Sequence, residues 1–427
     1  MTGWFPTERF DTAGWRLEGV GLLAVLGESS VADQAQPLTA SKLSLLPRLI
    51  PAPQALLRAT RPVRLPSPPA VVCGVHSGTL VHELNYFPNI IHPIADLKPY
   101  QVVVYEISWS EKRTKYEKSQ SIKLEKLIMP DGLRSKRPVS VPPPHKHGNK
   151  YAITPNKWSP LSLITISSFL MTVCAFAWAL VIKDGTAAVA IFLMSMVATL
   201  NGFAFYWKPH LAVRPSSAVV PRGDIIIRTR EGGFIVVRCT EELARELYTG
   251  TEECNYSLSD QWSRVLVGIG TFLIMFSVVL LGNCEWTMQA VVSAIYMLMN
   301  AMYWGSSLMP KSWIWDMSRY DWKDVTPSNV KGAHEIGYDG AQPSFTRTLW
   351  YAIHATEEIN WVMVSGAVPQ TQAWENWLEL AYANRTDPDW DAVGEKDRLM
   401  AEARRSQLMP SLLSGSKPMQ ELDVNHV

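Results

Sequence analysis

Four uncharged apolar stretches dominate the hydropathy pattern of this 427-residue chain. They cover residues 161–182, 186–207, 265–282 and 286–308, and none contains Asp, Glu, His, Lys or Arg. A helix needs about 20 mostly apolar residues to cross a hydrocarbon core of about 30 Å. Each stretch therefore predicts a transmembrane helix. Only residues 183–185 separate the first two and 283–285 the last two, and connections that short demand antiparallel helical hairpins. The expected fold is an all-α membrane protein with four transmembrane helices in two hairpins, 159–208 and 263–309.

The polar segments carry weaker patterns. Between the hairpins, 209–262 predicts a small cytosolic β-hairpin-helix element. Two β-rich runs, 224–230 and 234–239, flank Glu231-Gly232-Gly233, where glycine supplies the positive φ of a type I′ turn. Thr240 then caps a short helix over 241–248. A lone hairpin is marginal in water, so this element needs a partner surface, either the helix ends or the C-terminal region. Residues 310–343 read as an aromatic juxtamembrane linker, with Trp313, Trp315, Tyr320 and Trp322 among charges that suit a membrane interface. Residues 344–406 predict a cytosolic helical region and 407–427 a disordered tail. Within the helical region Trp374, Trp377, Leu378 and Ala381 recur at i, i+3, i+4 and i+7. That face either packs helices together or serves as a candidate partner surface. Residues 1–110 lack consistent periodicity and are expected to be largely disordered.

Composition sharpens the picture. Hydrophobic residues make 47% and charged residues 19%, with a net charge of +1, so no nucleic-acid partner is expected. The basic, Pro-containing linker 111–158 concentrates charge: 111–150 holds eleven Lys or Arg against four Asp or Glu, a candidate contact for anionic lipids. From 332 to the end, 14 acidic residues face 7 basic ones. Lys146, Lys150, Lys157, Lys208, Arg214, Arg222, Arg264, Lys311, Arg319 and Lys323 fall on one side of the four-helix layout, and Lys183 alone on the other. The positive-inside rule then makes both termini cytosolic. The sequons at Asn255 and Asn384 lie on that side and are expected to be unmodified.

Candidate chemistry is sparse. His82-Glu83 lacks the second histidine of a zincin helix. Gly74-Val75-His76-Ser77-Gly78 places its serine one position late for a nucleophile elbow. Five cysteines lack metal-ligand spacing, and neither a metal nor a cofactor is expected. Within the apolar stretches the conspicuous polar groups are amides. Asn201 and Asn300 lie about 9 and 12 Å from the cytosolic helix ends at 1.5 Å per residue. They are expected to make interhelical hydrogen bonds, with each other among the options.

Pro221-Arg222-Gly223-Asp224, Glu246-Leu247-Tyr248, Ser365-Gly366-Ala367 and the run from Trp390 to Asp397 carry a resemblance. Over roughly residues 155–405 the chain is similar to uncharacterised multi-pass membrane proteins of filamentous fungi. The resemblance implies a fungal source and the same four-helix layout, and brings no activity with it. The first functional expectation is a non-enzymatic scaffold or regulatory adaptor with cytosolic interaction surfaces, working with a cytosolic protein or as a homodimer. The second is a small-solute channel or facilitator using Asn201 and Asn300. The third is an accessory protein or enzyme of lipid or secondary metabolism.

Overall fold

The computed structural model describes residues 28–57, 60–110, 153–211, 220–336, 342–387 and 390–414. In chain order the helices begin with α1 (Glu28–Ala40), α2 (Tyr86–Ile91), α3 (Pro160–Val181), α4 (Gly185–Phe205), α5 (Glu241–Ala244) and α6 (Asp260–Gly282). They continue with α7 (Trp286–Ser307), α8 (Ser328–Lys331), α9 (Phe345–Thr356), α10 (Asn360–Val364), α11 (Gln372–Ala383) and α12 (Ala392–Ser414). The strands are β1 (Pro69–Gly74), β2 (Leu80–Glu83), β3 (Val102–Trp109), β4 (Trp207–Leu211), β5 (Ile225–Arg228), β6 (Phe234–Arg238), β7 (Glu252–Tyr256) and β8 (Tyr320–Asp324). Two compact units emerge. A helix unit draws on 1–65, 143–211 and 252–319, and a sheet unit on 66–142, 212–251 and 320–427.

In the helix unit, α3 starts where Ser159 Oγ accepts from the Ser162 amide at 3.1 Å and Pro160 supplies a helix-ready φ at the first position. The reversal into α4 uses Lys183 at φ 63°. Small residues let the helices approach: Ala175 and Ala179 of α3 meet Ala187 and Ile191 of α4 in one buried cluster with Met288 and Val292 of α7. Gly270 of α6 lies against Val197 and Asn201 of α4. The outward face is the apolar one. On α6 the buried residues are Ser263, Gly270, Ser277 and Leu281, whereas Phe272, Met275 and Val279 are 69, 65 and 61% exposed. Water would reject such an inverted helix. β4 and β7 form a separate antiparallel ribbon, with Trp207 opposite Tyr256.

Two corrections to the expected fold follow. Among the described residues the structure is 55% helical and 15% strand, so it is not all-α. Among the described residues three helices, α3, α4 and α6, are long and apolar enough to cross a membrane by length and composition, not four. α7 has the length, at 22 residues, but Gln289, Asn300, Thr287, three serines and its Trp and Tyr rings dilute its apolar character. With three candidate spans, a shared side for both termini no longer follows from counting crossings.

The sheet unit holds a six-stranded mixed sheet in the order β2-β1-β5-β6-β3-β8. β3 and β6 run parallel, from Val102 opposite Phe234 to Glu106 opposite Arg238; the other neighbours are antiparallel. The hairpin expected between the two β-rich runs is β5–β6, but its turn differs from type I′. Thr229 and Gly233 close a three-residue loop, the Thr229 amide donating to the Gly233 carbonyl at 2.9 Å. Only Gly232 is left-handed, at φ 78°, as in three-residue hairpin loops. The hairpin's partner surface is more extensive than a helix end. Ile226, Phe234 and Val236 point into a core with Leu349, Trp350, Ile353, Trp361 and Trp377 of the C-terminal helices. Ile225, Ile227, Ile235 and Val237 are buried on the opposite face, where His92, just after α2, stacks on Tyr105 of β3 at 4.1 Å.

The expectation of disorder for 1–110 is corrected across 28–57 and 60–110, which supply α1, α2 and three strands. β1 sits between two strands and β3 between two others, so their register is set by residues more than 100 positions away. The basic stretch 111–150, expected to contact anionic lipids, and most of the tail 407–427 lie outside the described residues.

Candidate functional site

A polar cleft of about 280 Å³ opens in the sheet unit between the β1–β2 loop and the start of α10. Its lining is Val75, His76, Ser77, Gly78, Glu358, Asn360, Trp361 and Val364. The loop is tight: the Gly74 amide donates to the Thr79 carbonyl at 2.9 Å and the Gly78 amide to the Gly74 carbonyl at 3.0 Å. Gly78 is left-handed at φ 65°, a conformation that favours glycine in the loop that presents His76 and Ser77, and a Cβ on Gly74 would displace the Ser77 hydroxyl.

Behind the loop lies the carboxylate of Asp224, 1% exposed. The Val75 amide donates to the Asp224 carbonyl at 2.9 Å, which holds the loop beside the end of β5. Asp224 Oδ2 is 3.1 Å from Arg222 Nη2 and 3.9 Å from His76 Nε2, while Oδ1 accepts from the Cys239 amide at 3.3 Å. Burial and the neighbouring Asp224 push the Cys239 thiol well above its ordinary range, which disfavours the thiolate. On the opposite wall, Trp361 Nε1 donates to the Glu358 carbonyl at 2.8 Å and Thr356 Oγ1 at 3.1 Å, which fixes the backbone from which Glu358 and Asn360 project. The motif residues Arg222 and Asp224 stand behind the cleft. Those at 365–366 follow its far wall, where Arg228 donates to the Gly366 carbonyl at 3.2 Å.

The arrangement suits binding better than acyl transfer. Ser77 Oγ is engaged within its own loop, 3.2 Å from Thr79 Oγ1, and the imidazole beside it stands 3.9 Å from Asp224 Oδ2, beyond hydrogen-bond reach. The lining offers one carboxylate, an amide, a hydroxyl and an imidazole. Among the described residues no group of His, Cys, Asp and Glu has the geometry of a metal site.

The residues singled out from sequence are placed elsewhere. Asn201 is 1% exposed and neither atom of its amide has a hydrogen-bond partner, so the bond expected with Asn300 is not made. The proposed partner face is corrected as well. Trp377, Leu378 and Ala381 are 0, 4 and 0% exposed within the sheet unit's core, and Trp377 Nε1 donates to the Ala392 carbonyl at 2.8 Å. Trp374, half-buried, meets Trp377 edge-on at 5.4 Å. This stripe packs helices against one another.

Sequence reasoning missed the His76–Asp224 proximity, because 148 residues of chain separate the two. It also missed His92, 1% exposed with both ring nitrogens unpartnered, whose burial lowers its pKa to about 3. The glycines flanking Val75-His76-Ser77 were the one available signal. No protein-family model, curated protein or solved structure matches the chain.

Proposed function

We propose that this chain is a membrane-embedded, non-enzymatic scaffold that displays a small-ligand receptor unit on the cytosolic side of the bilayer. The observation that carries this reading is the make-up of the sheet. It takes β1–β3 from ahead of α3, β5 and β6 from between α4 and α6, and β8 from after α7. Strands that share hydrogen bonds cannot lie on opposite sides of a bilayer, so this reading places all three segments on one side, with α7 returning the chain alongside α3 although it falls short of the apolar criterion that α3, α4 and α6 meet. The excess of Lys and Arg in these segments makes that side the cytosol. The outward apolar faces of α3 and α6 supply the membrane contact, and exposed Trp158, Trp262 and Trp313 match the aromatic preference of the interface.

The cleft supports the receptor role. Glu358 is the one lining group with a carboxylate, which favours a small ligand bearing an amine. Two measurements test the reading on the full-length protein. In sealed microsomes a C-terminal tag should be open to protease and Asn384 unmodified; a protected, glycosylated tail overturns the orientation. In detergent, tryptophan fluorescence should respond to putrescine or choline but not acetate, and Glu358→Gln should abolish the response. A response to neither amine overturns the ligand class.

A further inference from the structure

The chain ahead of the first strand enters the helix unit and leaves it by the same end. Near the C-terminus of α4, Gly202 lets the backbone of Ser44 lie directly on the helix, where a Cβ would collide with the Ser44 carbonyl. From there the chain runs inward, and Leu49 is gripped at both of its backbone groups. Its amide donates to Thr172 Oγ1 at 2.9 Å and its carbonyl accepts from Ser168 Oγ. At 1.5 Å per residue those hydroxyls lie about 18 and 12 Å from the first residue of α3, so Leu49 sits near that helix's midpoint. Ala52 then adopts left-handed backbone, φ 44° and ψ 58°, and the chain turns back. Arg61 completes the return, donating to the carbonyls of Ala204 and Leu258 at 2.6 Å each, at the end of α4 and just ahead of α6.

Beneath this segment lie a few polar groups among apolar ones. Ser162, Thr165, Ser168 and Thr172 contribute hydroxyls to the buried side of α3, beside Leu161, Ile164, Ala175 and Ala179. The unpartnered amide of Asn201 faces an enclosed space of about 10 Å³ shared with Ile50, Pro53 and Leu56, close to the volume of one water. Arg48, 1% exposed, spreads its charge over the Leu43, Ser44 and Leu46 carbonyls of its own segment at 3.1–3.3 Å. Irregular backbone at membrane depth survives only when it is buried in protein or lines a watery path. Withdrawing the segment would leave Ser168 and Asn201 facing a space that only water can satisfy.

We propose that residues 41–57 are a re-entrant plug in a path through the helix unit for small uncharged hydrogen-bonding solutes of glycerol size. The inference rests on the membrane embedding proposed above and is independent of the amine cleft. Flotation of the full-length protein with liposomes checks the embedding separately. The test is glycerol-driven swelling of proteoliposomes. Ser168→Ala/Thr172→Ala releases the plug from α3 and Gly202→Ala pushes it off α4. Each should raise glycerol entry at least tenfold over wild type, while Ser168→Thr, which keeps the hydroxyl, should leave it unchanged. Folded, inserted variants whose entry stays at the wild-type rate overturn the proposal. So does failure of every variant to fold, which would make the segment part of the folding core.

Discussion

Asp184 ties the two helical hairpins together through a hydrogen bond from Glu285: the Glu285 amide donates to Asp184 Oδ2 at 2.9 Å. The other carboxylate oxygen caps α4, accepting from the Ala187 amide at 2.9 Å and the Thr186 hydroxyl at 2.6 Å. One side chain thus starts one helix and holds the loop that starts another. Asp184→Ala should cost about 1–2 kcal/mol, the range for a lost N-cap, and Asp184→Asn much less. Thermal midpoints of the detergent-solubilised protein check this; equal midpoints for all three forms would refute the tie.

Acid should weaken the sheet unit through His92. Burial depresses the His92 pKa from 6.5 to about 3, so between those values the unfolded chain binds a proton that the folded chain refuses. Stability is therefore full above pH 6.5 and falls as pH drops towards 3, by at most about 1.4 kcal/mol per pH unit. His92→Phe should flatten this dependence. Denaturant midpoints at pH 7 and pH 5 provide the comparison, and an unchanged slope in the variant would assign the acid sensitivity elsewhere.

Trp377 should behave as a core residue. Trp377→Ala should cost about 3–5 kcal/mol, as for other buried aromatic truncations, and half-buried Trp374→Ala clearly less. A docking residue would instead leave the urea midpoint of the free protein unmoved, so unfolding of the two variants separates the roles.

The hydroxyl of Tyr320 donates to Glu246 Oε1 at 2.8 Å, and both residues are 1% exposed. Tyr320→Phe withdraws a donor from a buried carboxylate and should cost about 1.5–3 kcal/mol. Adding Glu246→Gln should lose less than the sum of the two single changes, because the pair is directly coupled. Strict additivity in the double-mutant cycle would show that the bond contributes nothing.

Local pattern carried part of this architecture. The charge-free runs and three-residue connections placed α3, α4, α6 and α7 to within a few residues, because helix formation and its interruption are local events. The β5–β6 hairpin was legible for the same reason: two β-branched runs flank a glycine pair. Even there the local signal chose the wrong turn, since which glycine turns left-handed depends on where Thr229 and Gly233 pair. The cleft was hardly legible at all. Its glycine-flanked loop was visible, but Glu358, Asn360 and Asp224 join it only through packing of segments far apart in the chain.

What the sequence determined by itself was the set of long apolar helices, their hairpin connections and the one local hairpin, all written in short-range periodicity. Tertiary structure decided the rest. It recruited 69–109 into a sheet whose strands lack a telling pattern, because β5 and β6 are covered on both faces and β3 pairs with β6 across more than 100 residues. It turned the Trp377 stripe inward, since an amphipathic helix has the same sequence whether its apolar face meets a partner or its own core. It also drew Leu49 into the helix unit, where side-chain hydroxyls of α3 satisfy a backbone that no local pattern could have paired.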